Sequence, residues 1–122
     1  MSCLFLTISN GGQVLSQHVE PFSCQVVAEG DEAVIAPRGE MDMATVGAVE
    51  GELRRARSQG VNKVVLDLSA VTFMDSTGLH LTARWANEAA GDGFVFELEP
   101  GPPAVQRVFE LAGMTGWLPF RD

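Results

Sequence analysis

Apolar and polar positions along the chain change period several times, and each change marks an element. Leu4 to Ile8 and Gln13 to Val19 are short apolar-containing runs around Asn10-Gly11-Gly12, which predicts a leading hairpin. Cys24 to Glu29 and Ala33 to Arg38 flank Gly30-Asp31-Glu32 and predict a second hairpin. Pro37 has no N–H to give a ladder, so it must sit where no inward donor is needed, and pairing there is in question. From Met43 to Ser58 the period lengthens: Val46, Val49, Leu53 and Ala56 share one helical face. Asp42 stands in the N-cap place, Arg54, Arg55 and Arg57 suit the C-terminal dipole, and Gly60 can close the helix. Gly47 and Gly51 soften it by about 1 kcal/mol each relative to Ala.

Lys63 to Leu68 is a near-continuous apolar run, the pattern of a central strand covered on both faces. Ser69 to Met74 reads as a connection. A second helix is predicted from Asp75-Ser76 to about Ala90, with Leu79, Ala83, Ala86 and Ala90 as a flat face, ended by Gly91-Asp92-Gly93. Phe94 to Leu98 reads as a strand. Pro102-Pro103 opens a third helix with Val105, Val108, Phe109 and Ala112 on one side and Gly113 as its stop. Trp117 to Phe120 reads as the last strand, and Trp85 and Trp117 as packing residues. Such alternation implies an α/β fold with a partly parallel sheet and right-handed crossovers.

Composition narrows the function. A length of 122 residues suits one domain, and 46% hydrophobic against 20% charged residues is a globular balance. A net charge of −8 with no basic tract argues against nucleic acid and anionic membrane surfaces as partners. Cys3 and Cys24 make no disulfide framework and no metal-ligand spacing, and read as reduced thiols. The start of the chain lacks the basic region of a signal peptide and the length of a membrane span, so a cytoplasmic protein is expected. Gly-x-Ser-x-Gly, a P-loop and GxGxxG are absent, and neither His18 nor His80 has triad spacing to Ser76. No enzyme, metal or cofactor is expected.

The informative segment is Val64-Val65-Leu66-Asp67-Leu68-Ser69-Ala70-Val71-Thr72-Phe73-Met74-Asp75-Ser76-Thr77-Gly78-Leu79. Its plain reading makes Asp75 an N-cap and Ser76 and Thr77 first-turn residues, while Asp67 holds loop amides at a strand end. Its functional reading makes Ser76 an exposed hydroxyl at a positive helix end, with Gly78 leaving the backbone approachable. This segment resembles the signature of STAS domains, and specifically of bacterial anti-sigma factor antagonists. Gly39-Glu40-Met41-Asp42, followed by Thr45, resembles the family's Gly-Glu-Leu-Asp element, and Pro102 to Gly113 is similar to its helix before the last strand. The resemblance spans about residues 22–120 and leaves 1–21 as an N-terminal extension.

The resemblance implies a single STAS domain with a mixed sheet, a leading hairpin and helices packed on it, as a monomer or weak homodimer. It implies partner switching in stress or sporulation control. The unphosphorylated protein binds an anti-sigma factor that is a histidine-kinase-like serine kinase, releasing the sigma factor. Phosphorylation at Ser76 ends the complex, and a PP2C-type phosphatase resets it. Asp42, Asp75, Thr77, Gly78, Met41 and Met74 are then expected on the partner surface beside Ser76, with Met43 adding a deformable apolar side chain, although core filling is an equal reading of the three methionines. Thr77 is the alternative phosphoacceptor, and His80 stands where the family often has another glycine. The chain ends at Asp122, where many members continue into a further helix, and the leading hairpin could cover that surface or exchange with a second molecule. Two other readings remain: a non-switching STAS subunit of a transporter or signalling complex, and a small-ligand or nucleotide-binding domain using the helix start at Ser76.

Overall fold

A computed structural model describes residues 21–121 of the chain. The leading hairpin, with Cys3 and His18, lies outside the described residues. The elements run β1 (Ser23–Glu29), β2 (Glu32–Met41), α1 (Val46–Ser58), β3 (Lys63–Asp67), β4 (Val71–Met74), α2 (Ser76–Asp92), β5 (Val95–Glu99) and α3 (Pro103–Leu111). Five strands form one mixed sheet in the order β1-β2-β3-β5, with β4 also paired to β2. β1 and β2 are the antiparallel hairpin, and every other pairing is parallel.

β2 is the spine. Ala33, Ile35, Pro37, Gly39 and Met41 are buried along it while Arg38 and Glu40 are exposed, the period of a strand with one covered face. Its first half pairs with β3 as far as Ile35, and its end pairs with β4 from Gly39 onward. Pro37 falls between these two ladders, which explains why a residue without an N–H is tolerated in a central strand. Gly39 has φ +103, and the register shifts between Gly39 and Glu40 as the strand turns from one neighbour to the other. In β3, Val64, Val65 and Leu66 are all buried, as the apolar run predicts.

α1 carries Val49, Leu53 and Ala56 into the core, the face its sequence predicts. In α2 the inward face differs from the expected line of small side chains. Gly78, Leu81, Thr82, Trp85 and Ala89 are buried, while Leu79, Ala83 and Ala86 are half-buried and Ala90 is exposed. The larger apolar area of Leu81 and Trp85 decides the rotation, because burial free energy scales with area. Trp85 packs edge-on to Phe94 at 5.9 Å.

Two further expectations change. Ser69 to Met74 is not all connection, since Val71–Met74 forms β4. Trp117 to Phe120 forms no strand beyond a single bridge from Phe120 to Leu98. The Pro119 carbonyl accepts from Leu98 N at 3.0 Å and Arg121 N donates to the Leu98 carbonyl at 2.8 Å, but Pro119 has no N–H to carry the ladder back along β5. Trp117 is correspondingly 53% exposed rather than packed.

Glu50 fastens α1 to α2. Its carboxylate accepts from Arg54 at 2.9 Å, from Arg84 at 3.0 and 3.3 Å, and from the Trp85 indole N–H at 3.2 Å. The Arg84 hydrogen bond, more than any other contact, holds the Glu50 carboxyl below its usual range. A carboxyl lowered in the folded state stabilises it above the unfolded value, about 4.3, and loses that contribution as pH falls through the lower folded value. Glu50→Gln should therefore cost about 1 kcal/mol at neutral pH, roughly 5 °C in melting temperature, with these side chains partly exposed. In thermal melts run across pH, the gap from wild type should close below about pH 4.

Candidate functional site

β2 and β4 run parallel and end in step, with Met41 opposite Met74. Asp42 and Asp75 each follow the last residue of a strand, so the sheet delivers both to one edge. The Asp75 N–H donates to the Met41 carbonyl at 3.3 Å and joins the two strand ends. Asp75 is the N-cap of α2: its carboxylate accepts from the Thr77 N–H at 2.9 Å and from the Thr77 hydroxyl. The backbone N–H groups of Gly78 and Met43 also face that carboxylate, the latter reaching across from the Asp42 loop. The Thr77 hydroxyl is the largest of the influences that hold the Asp75 carboxyl below its usual range. Asp75 is a fixed negative charge.

Asp42 does not cap α1 as its position suggests. α1 starts at Val46, with Thr45 in the N-cap place and no side-chain cap bond. Asp42 instead closes the turn before it. Its carboxylate accepts from Ala44 N at 3.0 Å, and its carbonyl accepts from Val46 N at 2.9 Å. The Thr45 hydroxyl accepts from Asp42 N at 2.9 Å and donates to the Glu40 carbonyl at 2.8 Å, so the loop is held from both sides.

Ser76 opens α2 and is exposed, and no hydrogen bond ties its hydroxyl to another described residue. Thr77 is half-buried with its hydroxyl committed to Asp75. The two hydroxyls are therefore not equivalent. Gly78 is buried, and a Cβ there would sit 2.8 Å from Met74 Cγ; what approaches this backbone is Met74.

A sequence profile described as "Mlab, STAS domain" matches residues 24–119. The chain belongs to the STAS domain family. It is 30% identical over 90 residues to the anti-sigma F factor antagonist of Lysinibacillus sphaericus, covering 72% of this chain and 76% of that one. It is 31% identical over 85 residues to the putative anti-sigma factor antagonist BtrV of Bordetella bronchiseptica, covering 67% and 71%. Among solved structures, an anti-sigma factor antagonist from Mycobacterium paratuberculosis superposes with a TM-score of 0.71 at 29% identity, covering 81% of this chain and 84% of that one. The antagonist SpoIIAA in its unphosphorylated form shares the fold, with a TM-score of 0.68 at 24% identity over 82% and 89% of the two chains. The mixed α/β architecture expected from the sequence is the one observed.

Within this STAS domain the expected set of site residues divides. Asp42, Asp75, Ser76 and Thr77 come together at one edge. Met41 and Met74 are 0% and 2% exposed; their side chains belong to the core, and the expectation that they face a partner is corrected. They face inward because they end the covered side of β2 and β4, where unbranched thioethers fill irregular space. The exposed apolar residues here are Met43, at 76%, and Phe73, at 49%. Phe73 has no local signal because β4, with only its end residues buried, has none. Asp67 does hold a loop amide, accepting from Ser69 N at 2.9 Å.

Gly78→Ala should lower stability by about 1–3 kcal/mol through its clash with buried Met74, against about 1 kcal/mol gained in helix propensity. With Met74→Ala in the background the same substitution should instead raise the melting temperature. Thermal melts of the four proteins of this cycle measure both effects.

Proposed function

We propose that this STAS domain is an anti-sigma factor antagonist that works by partner switching, with Ser76 as the phosphoacceptor. It is a substrate of signalling enzymes and not itself a catalyst. Two of its relatives carry the antagonist name at 30% identity or above. The observation that carries the switch is the contrast at the start of α2: Ser76 presents an exposed, uncommitted hydroxyl, whereas Thr77 spends its own on Asp75.

The surroundings favour repulsion over capture of a phosphate. The helix N-terminus that would receive an anion is already filled, since Asp75 takes the Thr77 N–H and its carbonyl takes the Gly78 and Leu79 N–H groups. A phosphate on Ser76 would project toward the partner beside a carboxylate that stays charged. It carries about −1.5 to −2 charges. Against one acidic partner group about 6 Å away, at an effective dielectric near 20, each charge pair costs about 3 kcal/mol. That is roughly a hundredfold in affinity, and no refolding is needed. Met43 and Phe73, exposed beside this acidic edge, supply the apolar contact of the unphosphorylated complex.

The full chain, incubated with a histidine-kinase-like anti-sigma factor from the same genome and ATP, should gain one phosphate, placed on Ser76 by peptide mass spectrometry. Ser76→Asp should bind that kinase about a hundredfold more weakly than wild type. A chain unmodified at Ser76, or Ser76→Asp binding as tightly as wild type, would overturn the reading. Met43→Ala and Phe73→Ala should each weaken the complex by about 1 kcal/mol or more with melting temperatures near that of wild type, checked by titration calorimetry.

A further inference from the structure

At the other end of β2 lies a cavity of about 300 Å³ between the C-terminal half of α1 and the β1–β2 hairpin. Ala33 lines it, eight positions before Met41, so it stands about 26 Å along the strand from the Asp42–Asp75 edge. Its wall is apolar, from Val26, Ala33, Ala56 and Val61, and its mouth is formed by Ala28, Arg55 and Gln59. Small side chains leave the space: three of these residues are alanines on β1, β2 and α1.

Into this apolar space the fold places a carboxylate. Glu52 shares the inward stripe of α1 with Val49, Leu53 and Ala56, and is 3% exposed. Its Oε1 is enclosed and has no hydrogen-bond donor among the described residues. Arg55 Nε is 3.8 Å from it, close enough for attraction and too far for a hydrogen bond, and that side chain is half exposed. A buried carboxylate oxygen without a donor is costly, and the sites where folded proteins keep such groups are often sites of binding.

We propose that this cavity is a binding site for a small amphipathic amine. The ammonium pairs with the Glu52 carboxylate, and a compact apolar body fills the space between Val26, Ala33, Ala56 and Val61. The volume is that of about ten water molecules, which sets a ligand of roughly ten non-hydrogen atoms. The net charge of −8 favours a cation over an anion of the same shape. The site is separate from the Ser76 edge and does not depend on the switching function.

The test uses the full isotope-labelled chain and three probes of one shape: phenethylammonium, 2-phenylethanol and 3-phenylpropionate. Phenethylammonium at millimolar concentration should give saturable shifts at the backbone amides of Val26, Ala33, Ala56 and Val61. The alcohol should bind about tenfold more weakly or worse, and the carboxylate should not bind. Glu52→Gln should reduce amine affinity about tenfold or more, and Ala56→Leu, which fills the cavity, should abolish it while keeping the spectrum of a folded chain. Ser76→Ala should bind the amine like wild type. Shifts that do not saturate, shifts centred elsewhere, or equal binding of amine and carboxylate would overturn the proposal. So would unchanged amine binding in either Glu52→Gln or Ala56→Leu.

Discussion

The structure depends on β2 having two successive parallel neighbours on one side. β3 serves its first half and ends its pairing at Ile35, and β4 takes over at Gly39. A strand as long as Glu32–Met41 in the middle of a sheet carries backbone groups that must be paired once buried. β3, of five residues, cannot reach the end of it. β4 solves this, and its four residues put Met74 level with Met41. The make-up of this edge follows from that register. Two loops leave the sheet at the same height, and each begins with an aspartate.

Hydrogen bonds within the chain tie this edge together. The Asp75 carboxylate is held from its own helix and from the Asp42 loop, and the Thr45 hydroxyl ties the Asp42 loop back to Glu40. A surface ordered in the free state loses little conformational entropy on binding, and a change of charge on it acts without a change of shape. The buried packing of Gly78 on Met74 belongs to the same design, because it sets how closely the start of α2 lies on β4. A serine at the first position of a helix capped by its neighbour is then exposed by construction.

Much of this was legible in the chain. The hairpin, α1 with its inward face, the apolar β3 and the Asp75-Ser76 helix start are all written in local period and capping chemistry. β4 was not, because only Val71 and Met74 of its four residues are buried and the pattern matches neither period. Its strand character comes from the unpaired end of β2, a contact between residues some thirty positions apart. The same gap hid Phe73 and misplaced Met41 and Met74, whose burial follows from the ends of two strands and not from their nearness to the motif. On α2 the small residues mark one line along the helix, while Leu81 and Trp85 set the buried face by area.

Glu50 and Glu52 show the limit of such reading most directly. They stand two residues apart on one helix, about 200° around its axis, and only Glu52 falls on the inward stripe with Val49, Leu53 and Ala56. Glu50 is met from α2 by Arg84 and the Trp85 indole, partners more than thirty residues away. Glu52 is turned to the hairpin, where the facing positions are Val26, Ala28 and Ala33, and none of those side chains has a donor to offer. One carboxylate is thus a fastening between helices, and the other carries an oxygen that no described donor meets. Helix position sets which way each points, and the opposing element sets what each meets. A buried carboxyl oxygen without a hydrogen-bond donor persists only if stability elsewhere offsets it or if something further completes it.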